Sequence, residues 1–78
     1  MIVKVLGKQH MGGTSRRTGK DYDFDVYYVS YLDRYVEGEA VKQLSVDPRV
    51  YPFRDVVVGG DYNFSLGFNG SVEQITEI

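Results

Sequence analysis

Three cations, Arg16, Arg17 and Lys20, flank a Thr18-Gly19 pair, and the chain then passes through Tyr22, Tyr27, Tyr28, Tyr31 and Tyr35. Cationic side chains neutralise phosphate, and aromatic faces stack on unpaired bases. A groove that holds a single strand of nucleic acid without reading its sequence needs both. A solvated, charged hairpin tip would account for the same cations. Tyr27 and Tyr31 share strand parity, opposite Tyr22, Phe24 and Val26. They read as a stacking platform, or else as cross-strand packing or a dimer interface.

Other chemistries find little to work with. Asp21, Asp23 and Asp25 resemble the start of a calcium loop, but the sixth and twelfth positions are Val26 and Leu32 instead of glycine and glutamate. On a strand the three carboxylates would line one face about 7 Å apart, as a solvated surface. Such a face could also keep nucleic acid off the wrong side. Gly7, Gly12 and Gly13 match no phosphate-binding fingerprint, because no helix follows them. With no cysteine and only His10, there is no thiolate or histidine metal cluster and no nucleophile–base pair. The expectation is a binding protein without catalysis, cofactor, metal or small-molecule substrate. A metal-dependent or catalytic domain, supported only by the aspartates, is the remote rival.

The elements that must position these residues are strands. Residues 2–6 read as a first strand, 7–15 as a glycine-rich polar stretch, and 16–20 as a loop or hairpin tip. From Asp21 a long strand runs to Asp33-Arg34. Tyr22, Phe24, Val26 and Tyr28 lie on its expected core face, and Asp21, Asp23, Asp25 and Tyr27 on its wet face. A third strand is expected over 35–46 with a bend at Gly38, and an irregular stretch with one helical turn over 48–60. A fourth strand is expected over 62–68, a type I′ turn at Asn69-Gly70, and a fifth strand over 71–78. Five short strands without a long helix suggest one domain, residues 1–78, folded as a small antiparallel OB-like barrel, with an SH3-like barrel as the nearest alternative.

At 78 residues and a net charge of −2, the chain is small and mildly acidic, so any field for a polyanion must be local. Seven of its aromatics are tyrosine and four phenylalanine, a choice that suits both wet stacking surfaces and β cores. A core this small commonly needs a supplement. Disulfides being excluded, a two-fold dimer is expected. No segment is long and apolar enough to span a membrane or ordered like a signal peptide, so a cytoplasmic location is expected.

Taken together, the strand Met1-Ile2-Val3-Lys4-Val5, the segment Arg17-Thr18-Gly19-Lys20-Asp21-Tyr22, the run from Tyr27 to Tyr35, Gly60-Asp61-Tyr62 and Phe68-Asn69-Gly70-Ser71-Val72 are collinear with the gene V family. The chain resembles these small single-stranded DNA-binding proteins of filamentous bacteriophages over nearly its whole length. The resemblance implies a five-stranded OB-like barrel, a two-fold dimer, and cooperative coating of single-stranded DNA during phage replication in the host cytoplasm. It implies phosphate contacts from Arg16 or Arg17 and Lys20, and places Tyr22 at the base of a DNA-binding wing. Tyr28 and Tyr35 would lie near bound bases, and Lys42 would match a basic position on the third strand. Phe68 would stand at a hairpin tip that reaches the partner subunit's DNA site. RNA in place of DNA stays open, because stacking and phosphate contacts hardly separate them. A small β-barrel that docks a protein through its tyrosines is the alternative. Two departures concern charge. Gln74 to Glu77 carries no cation where the family has an arginine, and the aspartate series is more acidic than expected beside a DNA channel. The resemblance also needs Tyr28 to face the groove, whereas simple alternation puts it on the core face. A bulge near Asp25 and Val26 would reconcile the two.

Overall fold

Alternating valines, tyrosines and phenylalanines fold this chain as strands that bury one face in the core, with β2 also covering Val26 and Ser30 on its other face. The computed structural model describes residues 1–78. Five strands, β1 (Ile2–Thr14), β2 (Asp21–Tyr31), β3 (Ala40–Val46), β4 (Asp61–Leu66) and β5 (Val72–Glu77), are joined by loops and one 3-10 turn, Phe53–Asp55. They form a single antiparallel sheet in the order β3-β2-β1-β4-β5. The all-β expectation holds, but the sheet is not closed into a barrel. The edge strands β3 and β5 come into contact, yet no ladder joins them. No helix is long and apolar enough to cross a membrane.

Valines and aromatics from every strand meet on one side of the sheet. Val3, Val5, Tyr27, Val29, Leu44, Val46, Tyr62, Phe64, Val72 and Ile75 pack together with Val56 from the connection before β4. The Tyr62 hydroxyl pins that connection. It accepts from the Val57 N–H at 2.8 Å and donates to the Asp55 carbonyl at 3.3 Å.

β1 is more than twice the length expected, absorbing most of the glycine-rich stretch. Glycine weakens a strand because it has no side chain to pack. Here the partner strand supplies the cover, since Gly7 pairs with Tyr28, Gly12 with Asp23 and Gly13 with Tyr22. A Cβ at Gly7 would sit 3.7 Å from the Tyr28 ring, and one at Gly13 would sit 3.4 Å from the Tyr22 hydroxyl. Each tyrosine therefore lies over a cross-strand glycine.

The core face of β2 is the reverse of the one alternation suggested. Tyr27 is 0% exposed and packs edge-on against Phe64 at 5.7 Å between ring centroids, whereas Tyr28 is 38% exposed. Tyr22, Phe24, Val26 and Tyr28 do share one parity, but it is the outer one. Asp25, Tyr27, Val29 and Tyr31 face the core side. No bulge interrupts β2 near Asp25 and Val26. The register shift lies across the ladder on β1, between Val5 and Gly7. Tyr27 is thus a core residue and not part of a stacking platform, and Tyr31 packs against the same core. The Tyr27 hydroxyl has no hydrogen-bond partner in the chain, and burial pushes its pKa up to about 12. Removing an unpaired buried hydroxyl while keeping the ring is close to neutral or stabilising. Tyr27→Phe is accordingly expected to change chemical-denaturation stability by no more than about 1 kcal/mol in the unfavourable direction.

Three other boundaries move. β2 stops at Tyr31, and β3 starts only at Ala40, so Tyr35 and Gly38 belong to a loop. Asp33 caps a local turn at the start of that loop by accepting from the Tyr35 N–H at 2.9 Å. β4 stops at Leu66, leaving Phe68 outside it. The turn before β5 is not type I′, because Gly70 alone has positive φ (83°) and Asn69 does not. The Gly70 N–H donates to the Gly67 carbonyl at 3.0 Å, which places Phe68 and Asn69 at the centre of the turn.

Candidate nucleic-acid interface

The β2–β3 ladder begins at Asp25, so the stretch Met11 to Thr14 pairs with Asp21 to Phe24 and with nothing else. This two-stranded ribbon projects from the body of a molecule measuring 42 × 26 × 24 Å. Its tip is a tight turn. The Gly19 N–H donates to the Ser15 carbonyl and the Ser15 N–H to the Lys20 carbonyl, both at 2.8 Å. Gly19 takes φ +69°, which lets the chain reverse within this short span. Arg16, Arg17 and Lys20 all stand exposed on this turn, and none is ion-paired. Their charge is available to an external anion.

An aromatic stripe leads away from that tip along the outer face. Tyr22 and Phe24 are neighbours, with ring centroids 6.0 Å apart. Val26 follows, fully covered, and then Tyr28, whose hydroxyl donates to Gln9 Oε1 at 3.2 Å. From Tyr22 to Tyr28 the stripe extends about 20 Å, at roughly 3.4 Å per strand residue. The glycines lie against Tyr22 and Tyr28, which remain 41% and 38% exposed. Phe24, Gln9, Gly7 and Gly13 are the members that sequence reasoning did not assign to the site. The parity of Phe24 with Tyr22 was visible. The glycine seats were not, because they depend on cross-strand register.

The aspartates lie on the opposite face of β2, and each has a partner. Asp21 and Asp23 are on the ribbon, whereas Asp25, expected on a solvated face, is fully buried where the body begins. Thr14 Oγ1 donates to Asp21 Oδ1 at 2.7 Å. His10 spans the other two, with Nδ1 2.6 Å from Asp25 Oδ1 and Nε2 3.0 Å from Asp23 Oδ1. The hydrogen bond to Asp25, reinforced by the charges of Asp23 and Asp25, raises the His10 pKa above the ordinary histidine value. Lys8, also on this face, is occupied. Its ammonium donates to the Phe53 carbonyl at 2.9 Å and lies 4.5 Å from that ring's centroid. No group of three or more acids and histidines is arranged to hold a metal ion.

The remaining sequence candidates lie away from the wing. β2 runs back along β1, and β4 pairs with the first residues of β1. The loop after Tyr31 and the hairpin after Leu66 therefore lie at the end of the sheet opposite the ribbon. Tyr35, exposed there, carries the Arg34 guanidinium 4.9 Å from its ring centroid. Phe68 is fully exposed at its turn. Lys42 is exposed on edge strand β3, paired with Val29 and so on the opposite parity to Tyr28. One chain brings Arg16, Arg17, Lys20 and Tyr22 together on the ribbon and puts Tyr28 on the same outer face of β2, in the body. It does not bring Tyr35, Lys42 or Phe68 to them. No family model, curated protein or solved structure matches the chain.

Proposed function

We propose that this protein binds single-stranded DNA without sequence preference, in the manner of the gene V-type phage proteins it resembles. One observation carries the reading. Three unpaired cations at the tip of a free ribbon are continuous with the outer stripe Tyr22, Phe24 and Tyr28, while the ribbon's acids are turned to the other face and engaged there. Phosphates would bind Arg16, Arg17 and Lys20, and bases would stack on the open tyrosines. A cytoplasmic two-fold dimer would give Phe68, Tyr35 and Lys42 a role that a single chain does not, by presenting the far end of one copy to the ribbon of the other. The action is binding alone, as a coat on replicating phage or mobile-element DNA.

A titration with poly-dT at low salt tests this. Tyrosine emission is expected to quench on binding. The log–log dependence of affinity on salt is expected to fall with a slope of about −0.7 for each phosphate neutralised, hence about −2 from the three tip cations alone. No binding at micromolar protein, or a flat salt response, overturns the reading. A parallel titration with poly-U reports whether RNA is held as well.

A protein-docking module is the second reading. Ile2, Leu32 and Val41 are largely exposed. Ile2 and Leu32 line an open depression with Ser30, and Val41 pairs with Ser30. This apolar area would favour that reading if poly-dT failed to bind.

A further inference from the structure

His10 stands where the ribbon joins the body. Its ladder partner, Asp25, is the last residue toward the tip that β2 also pairs with β3, through Val46. Asp25 is fully buried in the three-stranded part of the sheet. Asp23, two residues on, belongs to the free ribbon, with its side chain 65% exposed. One imidazole touches both, so a single side chain ties the ribbon acid to the body acid.

With two carboxylates facing the ring, the geometry also favours the doubly protonated imidazole. A carboxylate only accepts hydrogen bonds, and a neutral imidazole has a single N–H. Two ring nitrogens facing two carboxylates, at 2.6 and 3.0 Å, are both satisfied only when both carry a proton. The neighbours supply no competing cation. From the 3-10 turn, the Phe53 ring stands edge-on to the imidazole, 6.0 Å between centroids. Lys8, on the same strand and face, is held by Phe53. β3 contributes Val46 opposite Asp25, and the Tyr27 hydroxyl, further along the same face of β2, is held neutral.

We propose that His10 is a positioning residue for the wing, an imidazolium clasp that fixes the angle of the ribbon on the body and cancels acid charge beside the cationic tip. When His10 loses its proton, one ring nitrogen presents a lone pair to a carboxylate. Asp23 is then released and the ribbon is loosened at its base. The acids there become uncompensated, which opposes an approaching polyanion. The direction of the pH effect follows from the raised His10 pKa. The clasp is complete below the ordinary histidine value, about 6.5, and is lost as pH rises through the higher folded value. The consequence for DNA rests on the function proposed above, whereas the clasp itself does not.

His10 is the only histidine in the chain, so its imidazole resonances are unambiguous in an NMR titration of the intact protein. The expected midpoint lies above that of an exposed histidine, and D23N lowers it. Amide protection factors in the ribbon, at the ladder-bonded pair Gly13 and Tyr22, are expected to fall about tenfold across the same interval, while those of the core strands stay constant. In H10Q the ribbon's protection becomes independent of pH over that range. A midpoint at or below the ordinary value, or ribbon protection that ignores it, overturns the clasp. Wild-type affinity for poly-dT is expected to drop across the midpoint, and H10Q to lack that step. Absence of poly-dT binding at every pH would instead overturn the function proposed above, with the imidazole midpoint still deciding the clasp.

Discussion

Alanine at both Tyr22 and Tyr28 is expected to weaken poly-dT binding at least about thirtyfold while leaving the fold intact. Base–aromatic stacking is worth about 1–3 kcal/mol per base, and two partly exposed rings at the low end of that range give about 2 kcal/mol. The fold should survive because neither ring belongs to the core. Both lie on the outer face over Gly13 and Gly7, so truncation opens no cavity. Phenylalanine at the same positions keeps the π-face and should retain most of the affinity, although Tyr28→Phe gives up the hydrogen bond to Gln9. Tyr27→Phe is the matched control. It changes the neighbouring residue on the opposite face and should not alter affinity at all. Wild-type binding by the double alanine variant would remove the stripe from the site. Fluorescence titration beside a denaturation curve for each variant separates lost stacking from lost structure.

β2 shows which parts of this arrangement local pattern can carry. Its parity sets were legible, since Tyr22, Phe24, Val26 and Tyr28 do share a face. The side they face was not. Asp21, Asp23 and Asp25 made their own face look wet, but the strand is half ribbon and half body. On the ribbon Asp21 and Asp23 are exposed, and in the body the same face carries Asp25, Tyr27 and Val29 into the interior. Only the ladder shows where ribbon becomes body, and that depends on where β3 starts. The register shift that accommodates the reversed reading sits on β1, around Leu6, where period-two counting of β2 has no view of it.

Similar reasons hid the length of β1 and the role of His10. Three glycines argue for a loop until the residues across from them are known to be Tyr28, Asp23 and Tyr22. A lone histidine is silent in sequence, and it gains meaning only when pairing sets it between two aspartates fifteen and thirteen residues away. The all-β class and the five-strand count follow from alternation and turn residues. Closure does not, because it depends on whether β3 and β5 form a ladder, a long-range contact that neither strand's own pattern encodes. Phe68 illustrates a smaller case. Its turn was visible as Asn69-Gly70, but the turn type shifted by one residue and put the ring at the apex.

Glutamine at Arg16, Arg17 and Lys20 together is expected to change the salt response, which the tyrosine variant should leave alone. Each phosphate neutralised contributes about 0.7 to the log–log slope on single strands, so losing three contacts flattens it by about 2. The two salt lines then converge near 1 M and separate toward low salt, by several hundredfold at about 50 mM. Stability should move by no more than about 0.5 kcal/mol, since the residues are exposed surface cations. No acid in the chain is left orphaned, because none of the three is ion-paired. Stacking carries no counterion, so alanine at Tyr22 and Tyr28 lowers the line at every salt concentration without tilting it. The pair of variants therefore resolves the site into two physical parts. A cation variant that lost affinity equally at all salt concentrations would mean that the tip shapes the ribbon and does not hold phosphate. A tyrosine variant that tilted the line would mean that the rings position the cations and do not stack on bases.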